Sequence, residues 1–346
     1  MNSKKLQEKN QTQMEAILSI LLRWYDIHGR SLPWRLDRSV YHTIISEFML
    51  QQTRVQAMIP HYLRWVETFP TWKDVANASQ ESLLKHWEGL GYYGRVAHLH
   101  RLCHFLHETG DLPKSPEEWQ KLPGIGPYTS IAIASIGQNY DAICIDGNVI
   151  RVLARLTGVD QQFPHKPAAE RHFRPIANQF IIPNYCRQIN EALMDFGAMV
   201  CRSTKRECNS CPLQNHCEAW QKNLSIDRIP LFAKNISREI VLHRMISTRH
   251  GKVLLQKSQK KRLKNIYEFP KIHTGNVDAL PPSSFIGRRS IGNNHYEEHF
   301  LRIGENFAKF LDMSAGHPRW MPISSLDKII LSGPHRRWLP HLIPWY

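Results

Sequence analysis

The 346-residue sequence lacks any apolar run of about eighteen residues, so we expect no transmembrane helix. Residues 1–13 are polar and contain no apolar core of the kind found in secretory signals, so we expect a cytoplasmic protein. Internal repeats and low-complexity tracts are absent as well. With 42% hydrophobic residues, a chain of this length can form two or three domains with buried cores.

Acidic residues are scarce, because 30 Asp and Glu stand against 45 Lys and Arg, which gives a formal net charge of +15. Residues 1–220 are nearly neutral, with a balance of +3, whereas residues 221–346 carry a balance of +12. A net charge of this size favours a polyanionic partner such as nucleic acid. Basic proteins without such a partner exist, so the charge alone does not establish DNA binding.

Cysteine is scarce too, and four of the seven cysteines fall within seventeen residues. Their spacing is Cys201-x6-Cys208-x2-Cys211-x5-Cys217. In a cytoplasmic protein such a cluster indicates metal binding rather than disulfides. Zinc sites more often use paired C-x2-C units, whereas one compact loop of four thiolates is typical of an iron–sulfur cubane. The spacing therefore predicts a [4Fe-4S] cluster.

The same loop carries the basic residues Arg202, Lys205 and Arg206. We expect these side chains to point outward, where they would contact a DNA backbone. A purely structural role for the loop, near the end of its domain, is the alternative, and the two roles are compatible.

A glycine-rich turn lies directly before a helical pattern at Gly124, Ile125 and Gly126. Glycine lets the backbone approach a ligand closely, and the first N–H groups of the following helix can bind a phosphate. The preceding residues 115–118, with the sequence Ser-Pro-Glu-Glu, form a capping box with proline at the first helical position. The turn is therefore predicted to join two helices as a helix–hairpin–helix. A simple helix-entry turn is the alternative.

Two carboxylates are candidates for acid–base chemistry. Glu47 lies in an apolar segment, residues 41–60, which we predict to be one helix. Burial there would raise the pKa of its carboxyl group, as a general acid working near neutral pH requires. Asp146 follows Gly126 by twenty residues and precedes another amphipathic segment. The alternatives are a glutamate at the wet edge of its helix and an aspartate that only caps one.

Polar and aromatic residues suited to reading DNA bases occur at two further places. Gln51 and Gln52 are neutral hydrogen-bonding side chains directly after the apolar stretch. The turn at residues 89–94 is rich in glycine and carries Tyr92 and Tyr93. Aromatic rings on a turn can wedge into a base stack, although they also serve in ordinary loop packing.

The remaining segments outline a helical front part and a mixed back part. Helices are predicted over residues 13–28, 79–88 and 96–107. Residues 221–237 read as a linker, and residues 239–256 as a β-hairpin turning at 249–252. A C-terminal helix is predicted near residues 324–331, followed by a basic tail.

Taken together, these motifs resemble one family. Residues 24–220 resemble the helix–hairpin–helix, iron–sulfur DNA glycosylases of the endonuclease III superfamily, and within it the MutY-type adenine DNA glycosylases. The matching motifs are residues 32–35, 46–53, 89–93, 122–126, 146–149 and 197–199 and the four clustered cysteines. The second half resembles the MutT-like, Nudix-fold domain of that family more weakly, at residues 253–256, 267–270 and from 320 onward. No Glu-rich Nudix hydrolase box follows Pro270, so we expect no pyrophosphatase activity.

The resemblance implies a fold and a partner. It implies a mostly α, two-lobed helix–hairpin–helix glycosylase domain with a [4Fe-4S] loop over residues 1–220. A linker over 221–237 would lead to a C-terminal α+β, MutT/Nudix-like DNA-recognition domain over 238–346. The partner would be double-stranded DNA with a mispaired adenine, and we expect a monomer associated with the nucleoid rather than with a membrane.

The resemblance also implies a mechanism. Adenine opposite 8-oxoguanine or guanine would be flipped out of the duplex, and its N-glycosidic bond hydrolysed in base excision repair. Glu47 would protonate the base, Asp146 would stabilise an oxocarbenium-like sugar, and Asn148 and Tyr128 would align the reacting groups. Bifunctional relatives carry a nucleophilic lysine where this chain has Tyr128, so the enzyme would be monofunctional.

The resemblance also implies roles for further site residues, some of which the motifs had already indicated. Trp34, Arg35, Leu50 and Glu191 would line the adenine pocket, while Gln51, Gln52 and Tyr92 would act near the opposite base. Gly124, Ile125 and Gly126 would contact the DNA backbone, and Cys201, Cys208, Cys211 and Cys217 would hold the cluster.

One segment departs from the family pattern. The family reads 8-oxoguanine with a loop of the form His-x-Phe-Ser/Thr-His, to which residues 295–299 align, ending at His299. Here the two central positions are Glu297 and Glu298, which beside a DNA groove would be repelled by phosphates. Lesion recognition would then be weakened or redirected to another opposite base. A non-catalytic or altered-specificity DNA-damage-binding protein is therefore an alternative, as is a pyrimidine glycosylase with lyase activity, which Tyr128 disfavours.

Overall fold

The computed structural model describes residues 3–204, 206–233, 237–258, 266–273, 280–304, 311–312 and 317–344, with side chains from residue 13 onward. None of the helices in these ranges is long and apolar enough to cross a membrane. The chain divides into two compact units, Met1–Ala76 with Arg101–Lys234 and Asn77–His100 with Asn235–Tyr346. Residues 77–100 therefore group with the C-terminal part of the chain.

The α-helices are, in chain order, α1 Ser3–His28, α2 Pro33–Leu36, α3 Val40–Leu50, α4 Val55–Thr68, α5 Trp72–Asn77, α6 Gln80–His86, α7 Gly94–Thr109, α8 Pro116–Gln120, α9 Pro127–Ala132, α10 Gly147–Leu156, α11 Lys166–Asn178, α12 Cys186–Met199, α13 Glu218–Gln221 and α14 Gly333–Leu342. The strands are β1 Gln162–Phe163, β2 Leu231–Phe232, β3 Arg238–Ile246, β4 Thr248–Arg249, β5 Lys252–Lys257, β6 Tyr267–Glu268, β7 Phe285–Ile291, β8 Asn294–Arg302 and β9 Pro318–Pro322.

The first unit is helical, and its main core joins α1, α10 and α12. The apolar faces of these helices meet in one buried cluster that includes Leu21, Leu153 and Leu193. The 3.6-residue periodicity of residues 13–28 correctly predicted α1, although the helix begins earlier, at Ser3. The segment predicted as a linker contains β2, which pairs in parallel with β1.

The prediction of one helix over residues 41–60 is wrong, because α3 and α4 are separate. The backbone of Gln52 lies in the left-handed region, with φ of +59°, which no α-helix accommodates. Arg54 then adopts an extended conformation at the N-terminus of α4. This break places Glu47 on the last full turn of α3.

The predicted helix–hairpin–helix is confirmed by α8, α9 and the turn between them. Ser115 Oγ accepts a hydrogen bond from the Glu118 N–H at 3.3 Å, as the capping-box sequence indicated. Gly124 has φ of +79°, a conformation that favours glycine, and Gly126 caps α9 from extended backbone. The helix then widens into a π-helical turn over Ile133–Gly137, a feature frequent at functional sites.

The second unit is α+β, as predicted. Its three-stranded sheet has the order β3-β8-β7, with β3 and β8 parallel and β7 and β8 antiparallel. A second sheet has the order β4-β5-β6, and β9 pairs with β5. The prediction that residues 239–247 form the first strand of a hairpin with residues 253–256 is wrong. The short strand β4, not β3, pairs with β5 across the turn. The partner of β3 is β8, which lies fifty residues further along the chain, beyond the reach of a local pattern.

The helix predicted near residues 324–331 is also wrong. A 3₁₀ segment covers Ile323–Lys328, and the α-helix follows later, as α14. The Tyr267 N–H donates to the Ile330 carbonyl at 2.8 Å, and the Ser332 N–H donates to the Tyr267 carbonyl at 2.9 Å. Because the backbone of residues 330–332 bonds to β6, the 3₁₀ segment is not continued as a helix there. The predicted basic tail forms α14 instead.

Residues 295–299 lie within β8, so the expectation of a loop there is wrong. Glu298 is fully buried and bonds to Arg244 at 2.7 Å, to His335 at 3.2 Å and to Arg289. Burial acts to raise the pKa of Glu298, but these three partners outweigh it and hold the pKa well below its usual range. Glu298 is thus an internal structural carboxylate and cannot repel DNA.

Candidate active site

A cavity in the first unit brings Glu47 together with the predicted adenine-pocket residues. It is lined by Arg30, Leu32, Trp34, Arg35, Arg38, Thr43, Ser46, Glu47, Leu50, Val55, Ile136, Glu191 and Met194. The lining combines aromatic and aliphatic surface with a few convergent charged groups, as small-molecule pockets commonly do. Four residues expected from the resemblance therefore share one wall with the candidate acid: Trp34, Arg35, Leu50 and Glu191.

The Glu47 carboxyl group has the properties expected of a general acid. Burial, and after it the negative charge of Asp146, raises its pKa from the ordinary 4.5 to about 7. Glu47 is half-buried, and its neighbours in the chain, Ile44, Ile45 and Phe48, are fully buried. At neutral pH the group can therefore give up a proton that an exposed glutamate would already have lost.

Asp146 serves as a helix cap and also influences Glu47 through its charge, although it is not among the residues that line the cavity. Its Oδ1 accepts the Val149 N–H at 2.7 Å, so it caps α10 as the structural alternative proposed. Its Oδ2 accepts from the Asn148 side-chain amide at 3.0 Å. Its charge raises the pKa of Glu47, which shows that the two carboxyl groups are electrostatic neighbours. Capping fixes the carboxylate in place and leaves its charge near Glu47.

Tyr128 completes the group. It is the second residue of α9, directly after Pro127, and follows the glycine hairpin. Burial raises the pKa of its phenol well above the usual value, and the charges of Glu47 and Asp146 raise it further. The phenol of Tyr128 therefore stays neutral at physiological pH. The Lys166 Nζ lies 5.8 Å from the centre of the Tyr128 ring.

Close packing of α12 on α10 sets the position of Asn148. A side chain at Gly197 would come within 2.7 Å of the Asn148 Cβ, so only glycine permits this approach. The Arg151 Nη2 donates to the Asn148 Oδ1 at 2.8 Å and to the Gly197 carbonyl at 2.6 Å. The amide of Asn148 is thereby oriented with its nitrogen towards Asp146.

Two arginines of the cavity lining, Arg30 and Arg35, bond to a charged residue that the motifs did not reveal and that does not itself line the cavity. Asp195, which is fully buried, accepts two hydrogen bonds from Arg35 at 2.8 and 2.9 Å. Arg30 donates to it as well, at 2.6 Å. Asp195 follows Glu191 by four residues on α12, so the sequence carried a usable signal: two acids on one face of an otherwise apolar helix.

Glu191 is also held by several donors. The Tyr25 hydroxyl donates to Glu191 Oε2 at 2.5 Å, and Arg38 Nη2 lies 3.1 Å from the same oxygen. Arg35 Nε lies 3.6 Å from the other carboxylate oxygen, Oε1. Burial and the hydrogen bond to Glu191 both raise the pKa of Tyr25 well above its usual value. Tyr25 and Arg38 thus position Glu191 in the cavity wall.

The remaining predicted DNA-reading residues lie outside this cavity. Gln51 ends α3, and Gln52 is exposed with its backbone in the left-handed region. Tyr92, in the second unit, is 41% exposed with φ of +48°. Non-glycine residues in this conformation often mark functional positions. His299 lies on β8, where its ring bonds to the Ser283 hydroxyl at 2.9 Å.

The four clustered cysteines line a second cavity of the first unit, together with Arg155 and Trp220. Within the described residues, no three ligating side chains converge on one point as a single metal ion would require. Four thiols spread around a cavity match a cluster in which each thiolate bonds to a different iron. The four sulfur donors around this cavity are a donor set that fits a four-thiolate metal centre such as an iron–sulfur cubane.

Two arginines of the cysteine loop are paired rather than free. Arg202 lies 3.1 Å from Glu207, and Arg206 donates to Asp227 at 2.7 Å. Both ion pairs are partly exposed to solvent, so they are weak, and a DNA-backbone contact by these arginines stays a prediction. Lys205, the third basic residue of the loop, lies outside the described residues.

Hydrogen bonds join the cysteine loop to α10. Arg155 Nη1 lies 3.4 Å from the Cys201 sulfur and donates to the Arg202 carbonyl at 2.7 Å. Arg151 Nε donates to the Cys201 carbonyl at 2.7 Å. Because Arg151 also bonds to Asn148, the loop and the Asp146 carboxylate share one hydrogen-bonded framework.

Comparisons with known proteins agree with this geometry. Residues 45–179 match the profile of the HhH-GPD superfamily base excision DNA repair proteins. The chain is similar to the adenine DNA glycosylase of Rattus norvegicus, at 40% identity over 213 residues, covering 58% of this chain and 41% of the relative. It is also similar to that of Buchnera aphidicola subsp. Schizaphis graminum, at 31% identity over 264 residues and 74% of each chain. The match thus spans less than half of the rat relative and about three quarters of the bacterial one.

Solved structures show the same fold. A thermostable thymine-DNA glycosylase superimposes with a TM-score of 0.55 at 23% identity, covering 62% of this chain and 99% of the other. Endonuclease III in a non-covalent DNA complex superimposes with a TM-score of 0.52 at 21% identity, covering 62% and 97%. At these identities the likeness concerns the helical fold alone.

Proposed function

Because the chain belongs to the adenine DNA glycosylase family of the HhH-GPD superfamily, we propose that it removes mispaired adenine from double-stranded DNA in base excision repair. The substrates would be adenine opposite 8-oxoguanine or guanine. The observation that carries the proposal is the pair Glu47 and Asp146, of which Glu47 can hold a proton at neutral pH inside a cavity. The relatives favour this activity over a non-catalytic damage-binding role.

The first step would be entry of the flipped base into the Glu47 cavity. A stacked adenine hides its glycosidic bond, so the nucleotide must leave the duplex before any residue can reach it. Trp34 and Leu50 would contact the faces and edges of the purine, and the carboxylate of Glu191 would accept from its exocyclic amine. The three donors on Glu191 hold that carboxylate in place before the base arrives.

Glu47 would then make the base a better leaving group. Adenine leaves poorly as an anion, but protonation at N7 lets it depart neutral. Burial keeps a large fraction of Glu47 protonated near pH 7, which supplies that proton. The phenol of Tyr128 stays neutral beside it and can orient the acid or the water by hydrogen bonding.

Asp146 would stabilise the sugar once the bond to the base breaks. The departing base leaves a cation-like sugar, which a nearby carboxylate stabilises by its charge. The Val149 N–H and the Asn148 amide hold Asp146 and leave its negative charge in the site. Water then adds at C1′ and the abasic product forms. With Tyr128 in place of an amine, the enzyme would be monofunctional.

The rest of the chain would bind DNA. The turn at Gly124, Ile125 and Gly126, whose Ile125 N–H donates to the Leu122 carbonyl at 3.3 Å, would lie against a phosphate of the strand that carries the adenine. A side chain at Gly126 would project into open space, so the hairpin leaves room for the DNA backbone. Gln52 and Tyr92 would enter the base stack near the opposite base. Residues 238–346 would form a MutT-like recognition domain, with His299 on β8 facing the DNA.

Cys201, Cys208, Cys211 and Cys217 would hold a [4Fe-4S] cluster. When bound, the cluster would cross-link the loop and fix it against α10, where Arg155 and Arg151 already bond to its backbone. Its contribution would be to the shape of the fold around Asn148. No step of base removal requires it.

The test is adenine release from duplexes that differ only in the base opposite adenine. Duplexes with 8-oxoguanine, guanine or cytosine opposite adenine are incubated with enzyme in excess and then cleaved with alkali. We expect release opposite 8-oxoguanine and guanine, and a loss of about 100-fold or more in Glu47→Gln. The exposed Glu67→Gln on α4 is the matched control and should behave like the unmodified protein. Absence of release from every duplex would refute the proposal.

A further inference from the structure

The turn that carries Tyr92 has a strained shape. Gly89, Gly91 and Tyr92 all have left-handed backbones, with φ of +98°, +66° and +48°. Glycine adopts this region freely, but tyrosine does so only when its surroundings impose it. Tyr92 is 41% exposed, whereas its neighbour Tyr93 is 4% exposed. The turn therefore presents one ring to solvent and anchors the other.

One side of the anchorage comes from Arg95, within the same segment. Its Nη2 donates to the Leu90 carbonyl at 2.9 Å and to the Gly91 carbonyl at 3.1 Å. The guanidinium lies 5.3 Å from the Trp87 ring and 5.7 Å from the Tyr92 ring. Arg95 thus donates hydrogen bonds to two carbonyls of the turn and also packs against the Tyr92 ring.

The other side comes from the C-terminal residues of the same unit. Arg336, on α14, pairs with Glu88 at 2.7 Å and donates to the Ile329 carbonyl at 2.7 Å. The Tyr93 hydroxyl lies 3.5 Å from the Leu331 carbonyl. The ion pair is mostly shielded, with the side chains 22% and 13% exposed, so solvent weakens it less than an exposed pair. Glu88 directly precedes the turn and Tyr93 directly follows Tyr92.

From this arrangement we propose that Arg336 is a positioning residue for the Tyr92 wedge, acting through Glu88. The C-terminal part of the chain then has two roles: it contacts DNA itself, and it holds the wedge of the N-terminal sequence in its strained shape. This inference rests on the proposed function, because it takes Tyr92 to enter the base stack. Neither the motifs nor the family likeness assigns a role to Arg336 or Glu88.

The test measures base unstacking directly. The duplex carries 2-aminopurine next to the base opposite adenine, and 2′-fluoroadenosine in place of adenosine, so that the protein binds without cleaving. Fluorescence of 2-aminopurine rises when its stacking is broken. The variants are Arg336→Met and Glu88→Gln, one on each side of the ion pair. The control is Arg337→Met, which removes the same charge from the same helix at an exposed residue that makes no ion pair within the described chain.

Stacking of a base on an aromatic ring typically changes binding by about 5- to 150-fold, so we expect the fluorescence rise to fall by about 3-fold or more in Arg336→Met and in Glu88→Gln. Arg337→Met should retain the full rise. In a Tyr92→Ala background the two substitutions should have no further effect, because the ring on which they act is gone. A merely structural role would lower the melting temperature but would leave effects that add to those of Tyr92→Ala.

Two results would overturn the inference. One is a fluorescence rise in Arg336→Met equal to that in Arg337→Met. The other is an effect of Arg336→Met that persists undiminished in Tyr92→Ala. Adenine release by the unmodified protein, measured in parallel on cleavable duplexes, separates this failure from a failure of the proposed function. Release with an unchanged fluorescence rise rejects only the role of Arg336, whereas absence of release rejects the glycosylase assignment.

Discussion

The raised pKa of Glu47 makes a specific prediction about pH. Excision should require the protonated carboxyl group, so the rate should level off just below pH 7 and should fall about tenfold per pH unit above it. Replacing Glu47 with glutamine removes the proton donor while keeping the size of the side chain. The variant should lose about 100- to 10,000-fold in rate and should show no decline centred near pH 7.

The magnitude follows from the environment of the carboxyl group. Its pKa rises from 4.5 to about 7, mainly through burial and then through the charge of Asp146. At pH 7 about half of the groups are protonated, compared with roughly one in 300 for an ordinary glutamate, which corresponds to about 3 kcal/mol. A folded-state pKa that is raised costs stability above pH 4.5, in full above pH 7. Glu47→Gln should therefore be more stable than the unmodified protein at pH 8, and equally stable near pH 4.

The assay is single-turnover adenine release with enzyme below saturation, because the pH dependence then reports the free enzyme. DNA binding is measured at each pH with an uncleavable duplex. This measurement shows whether a change in the excision rate comes from a change in DNA affinity. A decline centred near pH 4.5 would contradict the reasoning, since it would mean that burial does not shift Glu47. A rate that stays constant to pH 9 would contradict it too, because no proton donor would then titrate.

Three further predictions concern other parts of the chain. Tyr128→Lys should yield a covalent DNA adduct on borohydride reduction, where the unmodified protein yields little, because an amine at this position can attack the sugar. Gly197→Ala should slow excision and cost about 1–3 kcal/mol in urea unfolding, since the added methyl group meets Asn148 Cβ at 2.7 Å. Glu298→Gln should cost about 3 kcal/mol or more at pH 7, because Arg244 keeps a buried charge without its closest partner. That cost should shrink as the pH falls below about 4, where the unfolded chain protonates the carboxylate.

The sequence predicted those parts of the site that depend on a few adjacent residues. The capping box at Ser115, the glycine at 124 and the acid within an apolar run at Glu47 each involve a few adjacent residues. Their physics is therefore visible without the fold. The sequence indicates two roles for Asp146, a helix cap and a charged group near the candidate acid. In the structure it caps α10, and its charge raises the pKa of Glu47.

The parts that the sequence did not reveal depend on residues far apart in the chain. The sequence alignment predicts a surface acid at Glu298, whereas Glu298 and Phe300, two residues apart on β8, both point inward. Arg244, His335 and Arg289, which lie 54, 37 and 9 residues away, together make burial of that carboxylate tolerable. The parallel pairing of β3 with β8 is equally nonlocal. Likewise, the break after Leu50 depends on a left-handed backbone at Gln52 that no residue type specifies.

The central claim is that Asp146, as an anion, faces a sugar that becomes cationic as the base leaves. The most direct measurement compares the affinity for two duplexes in which the adenosine is replaced by an abasic analogue. One analogue is a cationic pyrrolidine and the other is a neutral tetrahydrofuran. We predict that the protein binds the cationic analogue about 10- to 150-fold more tightly, and that Asp146→Asn loses most of this preference. Equal affinity for the two analogues, or a preference unchanged in Asp146→Asn, would contradict the claim.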